Sequence, residues 1–292
     1  TQRFASRAKK ETRMNYYCLI AGLPDIQADD TKALTPLADL KKELSEQLSD
    51  MDRDLLNLLF AAYDNRNLLT WLSDKETALH PAGNLTADDW AELVALMREF
   101  EQPKDIRLLP YIHTFYSTYN DESRAGNSIS NEDYLAGLYY EFAMKSSNRF
   151  LQKWFEFNLN INNLLTAIAC RKHDFDPKAM IIGQNEISNT IRQSNARDFG
   201  LSGMFDQLEV LMRIAEETDL LEREKKIDAL KWEWLDENTF FHYFGVEKVL
   251  AFVLKVEMLE RWRMLSVEKG AQIFRELLAG MKQGVKFDNI NS

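Results

Sequence analysis

Residues 153–172 read KWFEFNLNINNLLTAIACRK. Asn158, Asn160, Asn162 and Asn163 are interleaved with Phe157, Leu159 and Ile161, and Leu164, Leu165, Ile168 and Ala169 continue at helical spacing. Asparagine is a poor helix former, because its amide competes for nearby backbone groups. A buried amide without a partner costs about 1–3 kcal/mol. Four asparagines in one apolar helix therefore imply that something uses the amides, either neighbouring helices or another protein. The spacing predicts a long helix at the centre of an all-α fold.

The composition agrees. Of 292 residues, 45% are hydrophobic and 28% charged, and only 11 are glycine and 6 proline. Average usage would give roughly twice as many of each breaker. The net charge of −10 repels phosphate backbones, so nucleic acid is not an expected partner. It also argues against a polybasic grip on anionic lipid, though not against a membrane-bound partner protein. Cys18 and Cys170 form neither a metal spacing nor a disulfide framework, and read as two buried thiols of a reducing cytoplasm. No apolar run reaches the ~18 residues of a spanning helix. Residues 1–13 carry five basic residues and one acid and read as an extension or cloning remnant, with Met14 as the true beginning.

Helix signals dominate after an opening run, NYYCLIAGLPDI, that reads as a short extended segment or strand. Thr35-Pro36 is expected as a cap and first helical position, followed by Leu37, Leu40, Leu44 and Leu48. A helix from Ser49 or Asp50 is expected to break at Asp64-Asn65. His80 to Asn84 forms a loop, Thr86 with Asp89 resembles a capping box, and Pro110 opens an aromatic helix. The polar run 120–131 reads as a boundary. Residues 131–172 form a helical region broken near Ser146-Ser147. Short helices follow at about 186–193, 204–217 and 219–235, then a pair at 245–265 and 267–282. The tail from 285 to 292 is expected to fray. Residues 131–172 and 237–280 share a loose layout, a weak repeat.

Catalytic chemistry is sparse. The four histidines do not pair at zinc-protease spacing, and no phosphate-binding glycine loop or nucleophile elbow occurs. No cofactor or metal site is expected. His173-Asp174 is the one candidate dyad, for a metal-dependent hydrolase, but such a site needs further converging ligands. His173 beside Arg171 and Lys172 also suits the negative end of a helix. Glu222, Glu224 and Glu233 among Lys225, Lys226 and Lys231 read as a solvated face. Glu257 and Glu260 beside Arg261 and Arg263 read as i,i+3 and i,i+4 pairs. Trp232, Trp234, Phe240, Phe241, Tyr243 and Phe244 read first as core, with partner anchoring as the alternative.

Two segments carry a family resemblance. WFEFNLNINNLLTAI (154–168) and HYFGVEKVLAFVLKVEMLERWRMLSVEKG (242–270) resemble the C-like (d-type) central-stalk subunit of vacuolar and archaeal-type rotary ATPases. The opening NYYCLIAGLPDI resembles a bacterial family of uncharacterised proteins whose genes accompany vacuolar-type ATPase genes. The resemblance implies a funnel-like assembly of about three similar helical units within one domain over 14–284, dividing near 14–125, 126–200 and 201–284. It implies a non-catalytic rotor spacer, cytoplasmic and peripheral to the inner membrane. The spacer links central-shaft subunits to the proteolipid ring of a proton or sodium pump, and touches the membrane only through those partners. A generic helical adaptor is the competing reading. Candidate packing or partner-interface residues are Asn158, Asn160 and Asn163, then Glu247, Lys255, Glu257 and Arg261 in the later helix. The family's usual mid-chain aspartate corresponds here to Asn158 or Asn160, so a charged contact would become a neutral one.

Overall fold

A computed structural model describes residues 15–28, 30, 35–119 and 129–284, with side chains placed as far as residue 265. The expectations for 1–13, for most of the polar run 120–131 and for the tail 285–292 lie outside the described residues. Eleven α-helices and no strands occur among the described residues. They are α1 (Tyr17–Gly22), α2 (Leu37–Gln47), α3 (Asp50–Ser73), α4 (Ala87–Glu99), α5 (Pro110–Thr118), α6 (Asn131–Ala143), α7 (Arg149–Lys172), α8 (Glu186–Gln193), α9 (Leu208–Ala215), α10 (Leu220–Thr239) and α11 (Val246–Gly284).

Local chemistry explains most helix starts. Ser49, Ser130, Asn148, Asn185 and Asp219 each accept backbone N–H bonds at the head of α3, α6, α7, α8 and α10. Thr86 and Asp89 form a full capping box on α4, and Pro110 occupies the first turn of α5. Three expectations need correction. The opening run is the short helix α1, not a strand, because no neighbouring strand satisfies its backbone. Thr35 does not cap α2; Pro36 stands at the N-cap and no side chain caps that helix. The pair expected after residue 245 is one continuous helix, α11.

Three helix pairs recur along the chain. Gln47, Ala143 and Thr239 end α2, α6 and α10, each 96 residues after the last. The partners α3, α7 and α11 begin at Asp50, Arg149 and Val246. Within α3 and α7 the same four residues, Asn-Leu-Leu-Thr, stand at 67–70 and 163–166. The helix ends thus align 131–172 with a stretch beginning in α10, upstream of residue 237.

The pairs pack in a cycle. α3 packs on α6, where the Tyr139 hydroxyl donates to the Leu58 carbonyl at 2.8 Å. α7 meets α10, where Trp234 lies against Phe150, Trp154 and Phe157 and stacks on the last at 5.1 Å. α11 returns to α2, and the Leu37 N–H donates to Glu260 at 3.3 Å. The three turns inside the pairs share one end of the molecule. The Tyr16 N–H donates to the Phe244 carbonyl at 2.8 Å, its hydroxyl bonds Asp52, and that oxygen accepts from the Ser49 N–H at 3.2 Å. Asn148 Nδ2 donates to Glu247 Oε1 at 3.3 Å, joining the second turn to the third. The core between the pairs is apolar and dense, with Phe60, Trp90, Phe115, Leu151 and Ile161 almost fully buried.

Candidate functional site

The long helices carry a polar pair at matching positions: Asp64 and Asn67, and Asn160 and Asn163, which are buried, and Glu257 and Glu260, which are half-buried. The first pair interrupts nothing. Asp64-Asn65 was expected to break the helix, yet α3 runs through it, because these side chains bond distant groups instead of their own backbone. Asn67 Oδ1 accepts the His80 N–H at 2.7 Å, and its Nδ2 donates to the His80 carbonyl at 3.0 Å. Asp64 accepts the N–H groups of Asn84 and Leu85 at 2.7 and 3.1 Å and the Asn84 side-chain amide. Burial pushes the Asp64 carboxyl upward against these hydrogen bonds. Lys41 of α2 crosses the same loop and donates to the Ala82 and Gly83 carbonyls at 3.0 and 2.8 Å. Burial lowers its ammonium to about 8, and the Asp64 carboxylate opposes that shift.

The second pair repeats this clamp. Asn163 Oδ1 accepts the Ile182 N–H at 3.1 Å, and its Nδ2 donates to the Ile182 carbonyl at 2.8 Å and to Ser188 Oγ at 2.9 Å. Asn160 Oδ1 accepts from Asn185 Nδ2 at 2.7 Å. Gly137 stands 96 residues after Lys41, and there the loop passes at ordinary contact distance, a Cβ on Gly137 lying 3.5 Å from Ile182. Asn158 donates within its own helix, to the Trp154 carbonyl at 2.8 Å. Asn162 is exposed and donates to the Tyr140 hydroxyl at 3.0 Å. The partners of these amides lie inside this chain.

The third pair is made of acids, and it faces the first unit. The Tyr63 hydroxyl donates to Glu257 at 2.7 Å, while Glu260 accepts the Leu37 N–H. His80 stacks on Tyr63 at 4.5 Å, so the first clamp and the third pair touch through one ring. Burial raises Glu257 and pushes Tyr63 up with it, the Glu257 charge adding to the latter. The expected Glu257–Arg261 pair does not form. Arg261 bonds the buried Asp228 of α10 instead, and only Glu260–Arg263, at 4.0 Å, matches the i,i+3 expectation. The face read as solvated is likewise split: Lys225 and Lys226 pair outward with Glu222 and Glu217, but Asp228 is buried and Lys231 half-buried beside it. Lys255 donates to Asp236 at 2.6 Å above the Trp232 ring. Glu247 is buried in the first turn of α11, where the helix dipole suits its charge, 3.6 Å from His242 Nδ1.

Seven candidate residues therefore divide. Asn160 and Asn163 share one clamp, Glu257 and Arg261 share the α11–α10–α3 seam, and Asn158, Glu247 and Lys255 stand apart from both. Sequence reading missed Lys41, Tyr63, Asp64 and Asn67; the repeated Asn-Leu-Leu-Thr was the signal that points to the last two. Chemically, these groups hold backbone and close seams. His173 and Asp174 are exposed at the end of α7, with Asp174 in the left-handed region at φ 57. Among the described residues no three His, Cys, Asp or Glu side chains converge to hold a metal ion.

The aromatic cluster also divides, against the expectation of core packing. Trp234 lies inward on α7, whereas Phe240, Phe241, Tyr243 and Phe244 are 63, 80, 60 and 42% exposed. Cys18, expected to be buried, is exposed, and Cys170 is buried.

No curated protein matches the chain, and no solved structure matches it either. One family model matches residues 14–285, nearly the whole chain, under the description "Protein of unknown function (DUF2764)". The protein with three recurring helix pairs therefore belongs to the DUF2764 family.

Proposed function

We propose that this chain is a non-catalytic rotor spacer of a bacterial vacuolar/archaeal-type ATPase, joining the central shaft to the membrane proteolipid ring. The observation that carries the reading is the cycle of helix pairs, in which α11 of the third pair returns to α2 of the first through Glu260 and Leu37. A part that transmits torque has to resist shear between its units. Loops held by two-point amide clamps and units joined by buried hydrogen bonds supply that stiffness, because breaking any one exposes an unpaired buried group. The resemblance of 154–168 and 242–270 to the C-like subunit points the same way. No helix among the described residues is long and apolar enough to cross a membrane. In this reading the chain sits at the cytoplasmic face, and partner subunits carry the ion path for protons or sodium.

The test is purification through a tagged shaft subunit from gently solubilised membranes. The reading expects this chain in stoichiometric amount with both shaft and ring subunits. An intact complex holding shaft and ring without it contradicts the proposal.

A further inference from the structure

The turn between α10 and α11 carries four exposed aromatic rings in five residues, Phe240, Phe241, Tyr243 and Phe244. A fifth ring, Tyr17, is 53% exposed and lies 4.2 Å from Phe244. Phe240 and Phe241 contact each other edge to face at 5.0 Å. The turn is braced: the Tyr16 N–H bonds the Phe244 carbonyl, the His242 N–H bonds the Thr239 carbonyl at 2.9 Å, and Thr239 Oγ1 bonds the Leu235 carbonyl at 2.7 Å. The corresponding turns of the other pairs do not resemble it. Leu48 of the first is buried, and the second presents Lys145, Ser146 and Ser147.

Size and charge decide what such a tip meets. Five rings, two-fifths to four-fifths exposed, offer on the order of 500 Å². A stable protein interface needs about 800 Å² from each side. A second copy falls short on that ground, and two chains of net charge −10 repel each other. Residues 232–246 hold the acids Glu233, Asp236 and Glu237 and no lysine or arginine, Lys231 and Lys248 stand at the edges of that stretch, and the whole chain carries −10. An anionic lipid surface is therefore opposed. Aromatic side chains favour the headgroup level of a bilayer, and residues 240–245 contain no acid, lysine or arginine to be desolvated there.

We propose that the Phe240–Phe241 turn is a lipid contact that inserts into the interface of an electrically neutral, zwitterionic bilayer. The proposal does not depend on the rotary reading, and it adds a direct membrane contact to it. It follows that the end of the molecule gathering the three turns faces the membrane.

The experiment is sedimentation of the full chain with phosphatidylcholine vesicles, with and without added phosphatidylglycerol. The wild-type chain should sediment with phosphatidylcholine alone, and phosphatidylglycerol should weaken the binding. The Phe240→Ser/Phe241→Ser variant should bind at least about tenfold more weakly. Phe241→Ser alone should be intermediate, and Ile106→Ser, at a position 88% exposed elsewhere, should bind like wild type. Failure of the wild-type chain to sediment with phosphatidylcholine overturns the proposal. So does unchanged binding by the double variant, or binding that requires phosphatidylglycerol and vanishes in salt.

Discussion

Asn163 grips the backbone of Ile182 from both sides, accepting its N–H at 3.1 Å and donating to its carbonyl at 2.8 Å, and Asn67 holds His80 in the same way. Each amide ties the chain that follows a long helix back onto that helix. Asn163→Ala leaves the half-buried Ile182 N–H and carbonyl without their partner, and Asn67→Ala leaves the His80 N–H without one, while the His80 carbonyl keeps the Gly83 N–H at 3.2 Å. Each should cost roughly 2–4 kcal/mol. Asn160→Leu, which loses one bond to Asn185, should cost less than Asn163→Ala. Lys226→Ala removes an exposed pair with Glu217 and should stay within about 0.5 kcal/mol. Urea unfolding of the four variants checks the order; equal midpoints would deny the clamps their role.

The loops can close on the clamps only because two positions lack a side chain. A Cβ on Gly83 would stand 2.5 Å from Asn67 Nδ2 and 3.0 Å from Asp64 Oδ1. Gly183 has φ +72, and a Cβ there would meet Leu159 Cδ2 at 2.7 Å. Gly83→Ala and Gly183→Ala should each destabilise by about 1–3 kcal/mol. Gly22→Ala, with nothing within 4 Å, should be neutral or slightly stabilising in thermal melts.

Arg261 neutralises the buried Asp228 across the α10–α11 seam. Arg261→Ala should cost about 3 kcal/mol, since the carboxylate is left without its main partner. Asp228→Asn in the same chain should restore much of that loss. A double-mutant cycle by denaturant titration should give a coupling of at least about 1 kcal/mol. Simple additivity would show that the pair is incidental.

Two groups that meet on Tyr63, Glu257 and His80, titrate in opposite senses. Burial raises Glu257, so the folded chain keeps this proton to higher pH than the unfolded chain. Its contribution to stability is complete below the ordinary carboxylate range and is lost as pH rises through the raised value. His80 is lowered, by burial first and Arg66 second, so its contribution is present above the ordinary imidazole range and lost as pH falls through the lowered value. Glu257→Gln should flatten the first loss while still accepting from Tyr63. His80→Gln should flatten the second, below about pH 6.5. Denaturation midpoints across about pH 4 to 8 resolve the two slopes; unchanged profiles would contradict the assignment.

The all-helical fold was legible because scarce glycine and proline, capping residues and leucine spacing all act locally. α8 falls at the expected residues, 186–193, for that reason. The polar row of α3 was not legible. Asp and Asn in mid-helix normally read as breakers, and only the loop at 80–85, brought back by the fold, shows what they bond. The same limit hid the α11–α10–α3 seam: Glu257 and Arg261 sit one turn apart on α11 but bond Tyr63 and Asp228, far away in sequence. Hydrophobic aromatics near a helix end look alike whether they pack against the core, as Trp234 does, or stand exposed, as Phe241 does.

Rotary coupling is the central claim, and ion pumping per ATP hydrolysed tests it most directly. The measurement compares the cognate ATPase in vesicles with this chain present, removed and restored. The account predicts that removal leaves ATP hydrolysis running while ion movement stops, and that adding the chain back restores it. Full pumping by complexes without the chain would contradict it.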